Sequence, residues 1–348
     1  MLPVNVCFLP KSSRDGSLPV ELRSQLTAGL LAVLLSLTVV LALVHGSVSI
    51  SLTELWAALR HQGLPIHETI LWDLRLPRIA AALTVGAALG MSGALLQGML
   101  RNGLADPFIL GISAGAGLVA IAFLTLQVLV PWVPLAAWAG ALLTTALVYG
   151  LGRGANGLVV ERLILGGVAV SSLLGAVQTT LLLLADDGRI QMALNWLIGS
   201  LNGRGWSDLR LATPYVVLAL IGGCLLSRRL NLLSLGDELA VSLGLSLTRS
   251  RLLIGGVATL LAAGAVSIAG LIGFVGLVVP HGVRLLVGAD YRWIIPLSAL
   301  GGAWVLTLAD LVARLGAVEL PVGAVMALLG SPLFIWLLYR RTTLLSSP

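Results

Sequence analysis

Apolar residues in this chain run in long unbroken stretches, each ended by a charge, a proline or a glycine cluster, with no strict alternation of polar and apolar positions. Leu26 to Val44 is the first, 19 residues long. Counted at their breaks, the stretches predict helices at about 26–45, 79–100, 108–130, 135–151, 163–184, 211–227, 252–269, 272–288, 293–312 and 322–339. About 20 apolar residues carry a helix across the hydrocarbon core of a bilayer. Only helices and closed barrels satisfy every backbone group there, and continuous apolar runs select helices over the alternating segments of a barrel. The pattern therefore predicts an all-α polytopic membrane protein of about ten spans, with both ends on the same side.

Composition agrees. The hydrophobic share is 58% and the charged share 10%, against roughly 45–50% and about 25% in soluble domains. The layout is one transmembrane domain at 26–341, an N-terminal tail at 1–25 and a C-terminal tail at 342–348, with a polar loop at 228–251. Residues 1–24 hold Lys11, Arg14, Asp15, Glu21 and Arg23 and no short apolar core ahead of a small-residue cleavage site, so they do not read as a removable signal peptide. With cytoplasmic termini, 14 of the 21 lysines and arginines fall inside and 7 outside, the bias that the positive-inside rule requires. The outer seven are Arg60, Arg75, Arg78, Arg189, Arg204, Arg210 and Arg314. Cys7 and Cys224 lie far apart and read as free thiols. Glycines inside the spans, among them Gly86, Gly90, Gly301 and Gly302, suit close helix packing.

Several chemistries are missing. Lys11 is the sole lysine, so the Gly-Lys-Ser/Thr that holds nucleotide phosphates at a helix start has no counterpart. The span interiors are nearly free of the carboxylates that ion-coupled carriers use; Asp310 is the nearest, close to the end of its span. The four histidines do not cluster, and no set of metal ligands emerges. No catalytic residue, metal or cofactor is expected in this chain, and no nucleic-acid partner.

Three constellations remain. Arg75 and Arg78, three apart with Pro77 placing them at a first helical turn, join Arg314 on the outer side. Arginine forks pair bidentately with carboxylates, which suits docking of an acidic partner, with lipid-headgroup anchoring as the alternative. The loop Arg228–Arg251 is amphipathic, with Leu232, Leu235, Leu239 and Leu243 at three- and four-residue steps and Gly236 and Gly244 as breaks. Such an element lies on the membrane or inserts into a partner's groove. The third is the hinge Asn102-Gly103-Leu104-Ala105-Asp106-Pro107 between spans two and three.

Together these motifs resemble the permease subunits of type II ABC importers for iron–siderophore complexes, haem and cobalamin. The resemblance rests on Arg75-Leu76-Pro77-Arg78, the hinge, and Gly111-Ile112-Ser113-Ala114-Gly115-Ala116. It also rests on Leu235-Gly236-Asp237-Glu238-Leu239-Ala240-Val241-Ser242-Leu243-Gly244, Gly273 to His281, Glu319 to Gly323 and Trp196 to Trp206, and it runs from about residue 70 to 341. It implies a multi-pass protein of the bacterial inner membrane working as a homodimer, with two ATP-binding subunits below and a periplasmic substrate-binding protein above. ATP and Mg would be bound by the partner ATPase. Arg75, Arg78 and Arg314 would dock the binding protein. Leu235, Gly236, Asp237, Glu238, Leu239, Ala240, Leu243 and Gly244 would couple to the ATPase. Asn102 and Leu104, with Val160 and Glu161, would form the cytoplasmic gate; Gly103 stands where proline is common in the family. The implied function is alternating-access import of an iron chelate, haem or a ferric siderophore, with cobalamin as the alternative. The rivals from other classes are an ion-coupled carrier, which needs a buried carboxylate, and a membrane-embedded receptor, which needs neither loop.

Overall fold

The computed structural model describes residues 19–345, apart from 47, 49, 155, 156 and 317, with side chains described as far as 335. Most of the N-terminal tail, including Cys7, Lys11, Arg14 and Asp15, lies outside the described residues, as does 346–348. Among the described residues seven helices are long and apolar enough to cross a membrane, and three shorter apolar helices complete the predicted ten. In chain order the elements are α1 (Val20–Val44), α2 (Leu52–Leu59), α3 (Pro65–Thr69), α4 (Leu76–Met99), α5 (Ile112–Thr125), α6 (Val133–Leu151) and α7 (Val160–Leu183). There follow α8 (Asp187–Ile198), α9 (Trp206–Leu225), α10 (Ser227–Ser234), α11 (Asp237–Ser242), α12 (Leu247–Ala269), α13 (Val275–Val287), α14 (Tyr291–Ala313) and α15 (Val322–Leu345). A two-stranded hairpin, β1 (Arg153–Gly154) with β2 (Gly157–Leu158), links α6 to α7.

The bundle is built around α4, which packs most extensively on α14 and α12 and also on α13. Of the apolar window in the α4 region 78% is buried, against 17% for α7, so α4 is a core helix while α7 leaves most of its surface to lipid or another chain. Small residues explain the close approach. A Cβ at Gly86 would collide with the Gly302 carbonyl, and one at Gly302 with the Gly86 carbonyl, so the α4 and α14 backbones touch directly. Hydrophobic burial does not draw helices together inside lipid, and such contacts supply van der Waals packing instead. Polar side chains add cross-links: Ser92 Oγ donates to the Ala258 carbonyl at 2.7 Å, and Gln97 Nε2 to the Gly276 and Leu277 carbonyls at 3.2 Å each.

Three local features shape the two ends of α4. A π-helical segment, Ile70–Arg75, precedes Pro77, which has no amide hydrogen to continue the ordinary ladder. After α4 the chain passes through a 3₁₀ turn, Pro107–Leu110, and Gly111 at φ 77° before α5 begins, so the third apolar run is helical over a shorter length than predicted. On the Arg78 end, the end of α1, α2 and the π segment bury Ile50, Leu55, Ala58 and Leu71 as a small separate core.

Candidate functional site

At the Arg78 end, Arg78 occupies the first turn of α4, as Pro77 predicts. Its Nε donates to Asp310 Oδ1 at 2.9 Å and Oδ2 at 3.1 Å, its Nη2 lies 2.8 Å from Oδ1, and its Nη1 reaches Glu319. Arg314 Nη2 lies 3.2 Å from Oδ2 of the same carboxylate, an ion pair by distance without hydrogen-bond geometry. Asp310 is fully buried, so two guanidiniums hold one carboxylate between α4 and α14. Arg75 behaves differently. It is 5% exposed and donates to the backbone carbonyls of Leu43, Val44 and Val48, which fastens the π segment to the end of α1. Arg75 therefore holds the π segment through two nitrogens bound to this chain's own carbonyls, and it still lines the same cavity as Arg78.

The four arginines Arg75, Arg78, Arg204 and Arg314 still converge, lining with Asp73 and Glu319 a cavity of about 640 Å³. Arg204, in the loop before α9, sits between this cavity and a neighbouring one that adds Trp196 and Pro321. Its Nε is buried with no hydrogen-bond partner among the described residues. Burial pushes its guanidinium down from the ordinary arginine value, and Asp208 partly offsets that. Arg204 was counted among the outer arginines but its membership in the cluster was not visible from the sequence. Neither was the Arg78–Asp310 pair, which joins residues 232 apart; only the four-residue step from Asp310 to Arg314 could have signalled part of it.

At the opposite end, the loop after α4 is held by its own side chain. Asn102 Oδ1 accepts from the Leu104 amide at 2.9 Å, and the Asn102 amide donates to the Gln97 carbonyl at 3.1 Å. Leu104 projects, 44% exposed. Gly103 does not adopt a left-handed conformation, and an added Cβ would meet only Arg284 Nη1, at 3.6 Å; its glycine is not required by this loop's shape. Beneath it, burial pushes the Asp106 carboxyl up to about 6, against a hydrogen bond from the Phe108 amide that opposes the shift. Val160 and Glu161 open α7, Val160 half-buried against the core and Glu161 exposed.

The amphipathic loop folds as its glycines predict. Gly236 at φ 107° separates α10 from α11, and Gly244 at φ 83° follows α11; both lie in the left-handed region that glycine tolerates without a Cβ penalty. Helix α10 is bound to the bundle through buried Leu230 and Leu233 and through Asn231, which donates to Asp290 at 2.7 Å and accepts from the Tyr291 amide at 2.9 Å. Helix α11 stands off, with Leu239, Val241 and the following Leu243 all exposed, as is Leu235 before it. Ala240 is fully buried, so its side chain packs α11 onto this chain. Asp237 pairs with Arg251 at 2.8 Å and with Arg101 at 3.0 Å, and Glu238 is exposed.

Ten apolar helices around a glycine-packed centre, with an arginine cluster at one end and a short helix with exposed leucines at the other, are those of a multi-pass membrane protein. Residues 34–340 match the FecCD transport family. The cobalamin import system permease of Halobacterium salinarum is 46% identical over 84% of this chain and 79% of its own length. The hemin transport system permease of Yersinia pestis is 39% identical over 90% of this chain and 96% of its own. A solved structure, described as an inward-facing conformation of a metal-chelate type ABC transporter, superposes with a TM-score of 0.83 at 33% identity, covering 91% of this chain and 99% of that one. The chain belongs to the FecCD family and is a permease of an ABC importer.

Proposed function

We propose that this permease passes an iron chelate, haem or a ferric siderophore, into the cytoplasm across the bacterial inner membrane. Both termini and α11 face the cytoplasm, two copies form the pathway, and two separate subunits bind ATP and Mg. The observation that carries the reading is α11: exposed leucines on a short helix, set on a firmly packed α10, suit a groove in a partner. Buried Leu230 and Leu233 already tie α10 to the bundle, which disfavours a helix lying flat on lipid. A secondary carrier is disfavoured because Asp310 is held by two arginines and is not free to take up a coupling ion. Cobalamin is the second reading for the substrate, favoured by the 46% identity to a cobalamin import permease.

The Arg78 end would receive an acidic periplasmic binding protein. Arg78, Arg204 and Arg314 line the cavity and give it positive charge. Proteoliposomes holding the permease test the proposal. Uptake of hemin or a ferric siderophore is expected only with the ATPase, ATP and the binding protein together, and cyanocobalamin is expected not to compete. Uptake on an ion gradient without the ATPase would overturn the importer reading, and cyanocobalamin uptake would move the substrate to the second reading. In the same vesicles Arg204→Glu is expected to slow uptake when binding protein is limiting, because it reverses a charge in the cavity that would receive an acidic partner. Raising the salt should narrow the difference from wild type.

A further inference from the structure

Asp237 opens α11, the element proposed above to meet the ATPase, yet its carboxylate faces this chain. It touches two arginines that belong to different segments. Arg101 Nη2 donates to Oδ1 at 3.0 Å, and Arg251 Nη2 donates to Oδ1 at 3.0 Å and to Oδ2 at 2.8 Å. Each arginine leads to one of the two loops read as the cytoplasmic gate. Arg101 is the residue immediately before Asn102, whose side chain holds the Leu104 amide at 2.9 Å. Arg251, at the base of α12, donates through Nη1 to the Leu158 carbonyl at 2.9 Å, two residues before Val160 at the start of α7.

These connections are built rather than incidental. The Arg251 side chain is only 7% exposed, and a buried guanidinium is fixed in direction by its few acceptors. Arg101 holds a left-handed backbone at φ 50°, a conformation that a side chain bearing a Cβ adopts only where its surroundings enforce it. Gly236, just before Asp237, has Arg101 Nη1 3.8 Å from where a Cβ would stand, so the two segments are packed as well as paired. The hairpin carrying Leu158 is also seated on α12, since a Cβ at Gly157 would collide with Thr248.

We propose that Asp237 is the positioning residue that ties movement of α11 to both gate loops: through Arg101 to Asn102 and Leu104, and through Arg251 and the Leu158 carbonyl to Val160 and Glu161. This rests on the reading of α11 as the ATPase contact and of these loops as the gate. Mechanical linkage of this kind needs a contiguous network whose members depend on one another. Here one carboxylate is the shared member. Displacing α11 by a fraction of a hydrogen-bond length strains both arginine pairs at once, so the two loops shift together and not one after the other.

The test uses the permease–ATPase complex in proteoliposomes with binding protein and hemin, reading uptake and ATP hydrolysis in the same vesicles. Wild type must first show ATP-driven uptake of hemin, a ferric siderophore or cyanocobalamin, and whichever is carried serves for the variants; absence of uptake with all three would sink the importer reading itself, before any variant is compared. Arg101→Gln is the leading variant, because its side chain is 43% exposed, lies outside α11, and leaves the buried Arg251 pair in place. Co-purification of the ATPase and its hydrolysis rate are expected to stay at the wild-type level. Uptake per ATP is expected to fall on the order of fivefold, the lower end of typical coupling between sites. Asp237→Asn is expected to lower the same ratio at least as far. Adding Arg101→Gln to it should lower the ratio no further, since residues acting through one contact are not additive. An unchanged ratio in Arg101→Gln, or independent multiplying losses in the double variant, would overturn the proposal while leaving the importer reading intact. Loss of ATPase co-purification in Asp237→Asn together with an unaffected Arg101→Gln would overturn it too, assigning Asp237 to the ATPase interface instead.

Discussion

Asp310→Asn is expected to lower the unfolding free energy by about 3–5 kcal/mol, the usual cost of breaking a buried ion pair by removing one partner. Asp310 is fully buried, and the side chains of Arg78 and Arg314 are 11% and 7% exposed. Taking away the charge leaves two guanidiniums facing each other at the junction of α4 and α14, with Glu319 alone to compensate. An asparagine can accept a hydrogen bond but cannot offset that repulsion. The check is thermal or denaturant unfolding of the purified permease in detergent. Glu319→Gln is the control: its side chain is 38% exposed, and loss of a pair open to solvent is expected to cost about 1 kcal/mol or less. Asp310→Asn with Arg314→Leu should recover part of the loss, because it also removes one orphaned charge. A single Asp310→Asn variant as stable as the Glu319→Gln control would mean that this network does not hold the two helices together.

The transmembrane layout was legible because lipid makes a simple demand: each spanning run must be apolar and long, and every backbone group must be satisfied within it. All ten runs became helices, and the breaks at Gly236 and Gly244 fell where their left-handed conformations require glycine. What escaped the sequence is of another kind. Helix α8 (Asp187–Ile198) carries too little apolar character to stand out as a span and too short a pattern to be read as amphipathic. The bonds of Arg75 to the end of α1 depend on the π segment before Pro77, which a pattern read as regular α-helix does not show. Helical position also decides between Leu239 and Ala240: adjacent residues point about 100° apart, as 3.6 residues per turn dictates, so one is exposed and the other buried. Pairings such as Arg78 with Asp310, or Asp237 with Arg101, join segments distant in the chain, and a single sequence shows their charges without their partners. The ends of the bundle were thus recognisable by motif, while the contacts that give each motif its physical meaning came only with the fold.

Burial decides which position of α11 can test the ATPase contact. A charge at Ala240 would disturb the packing of α11 on this chain, so its effect on partner binding would be hard to separate from local unfolding. Leu239 is the informative position: it is 57% exposed, and its replacement leaves the buried side of the helix untouched. We expect Leu239→Asp to weaken ATPase association by about 2 kcal/mol or more, the range of an interface hot spot, which is roughly thirtyfold in Kd. An apolar anchor seated in a groove gains its affinity from desolvation, and a carboxylate there would be buried unpaired. Leu239→Ala should give a smaller loss of the same sign. Membrane insertion, detergent unfolding and recovery of the dimer should match wild type in both variants, because more than half of the residue is open to solvent. Titration of labelled ATPase against the detergent-solubilised permease measures the change. Wild-type affinity in Leu239→Asp, with hydrolysis still responding to the binding protein, would mean that the exposed leucines of this loop meet lipid and that the ATPase contacts another part of the chain.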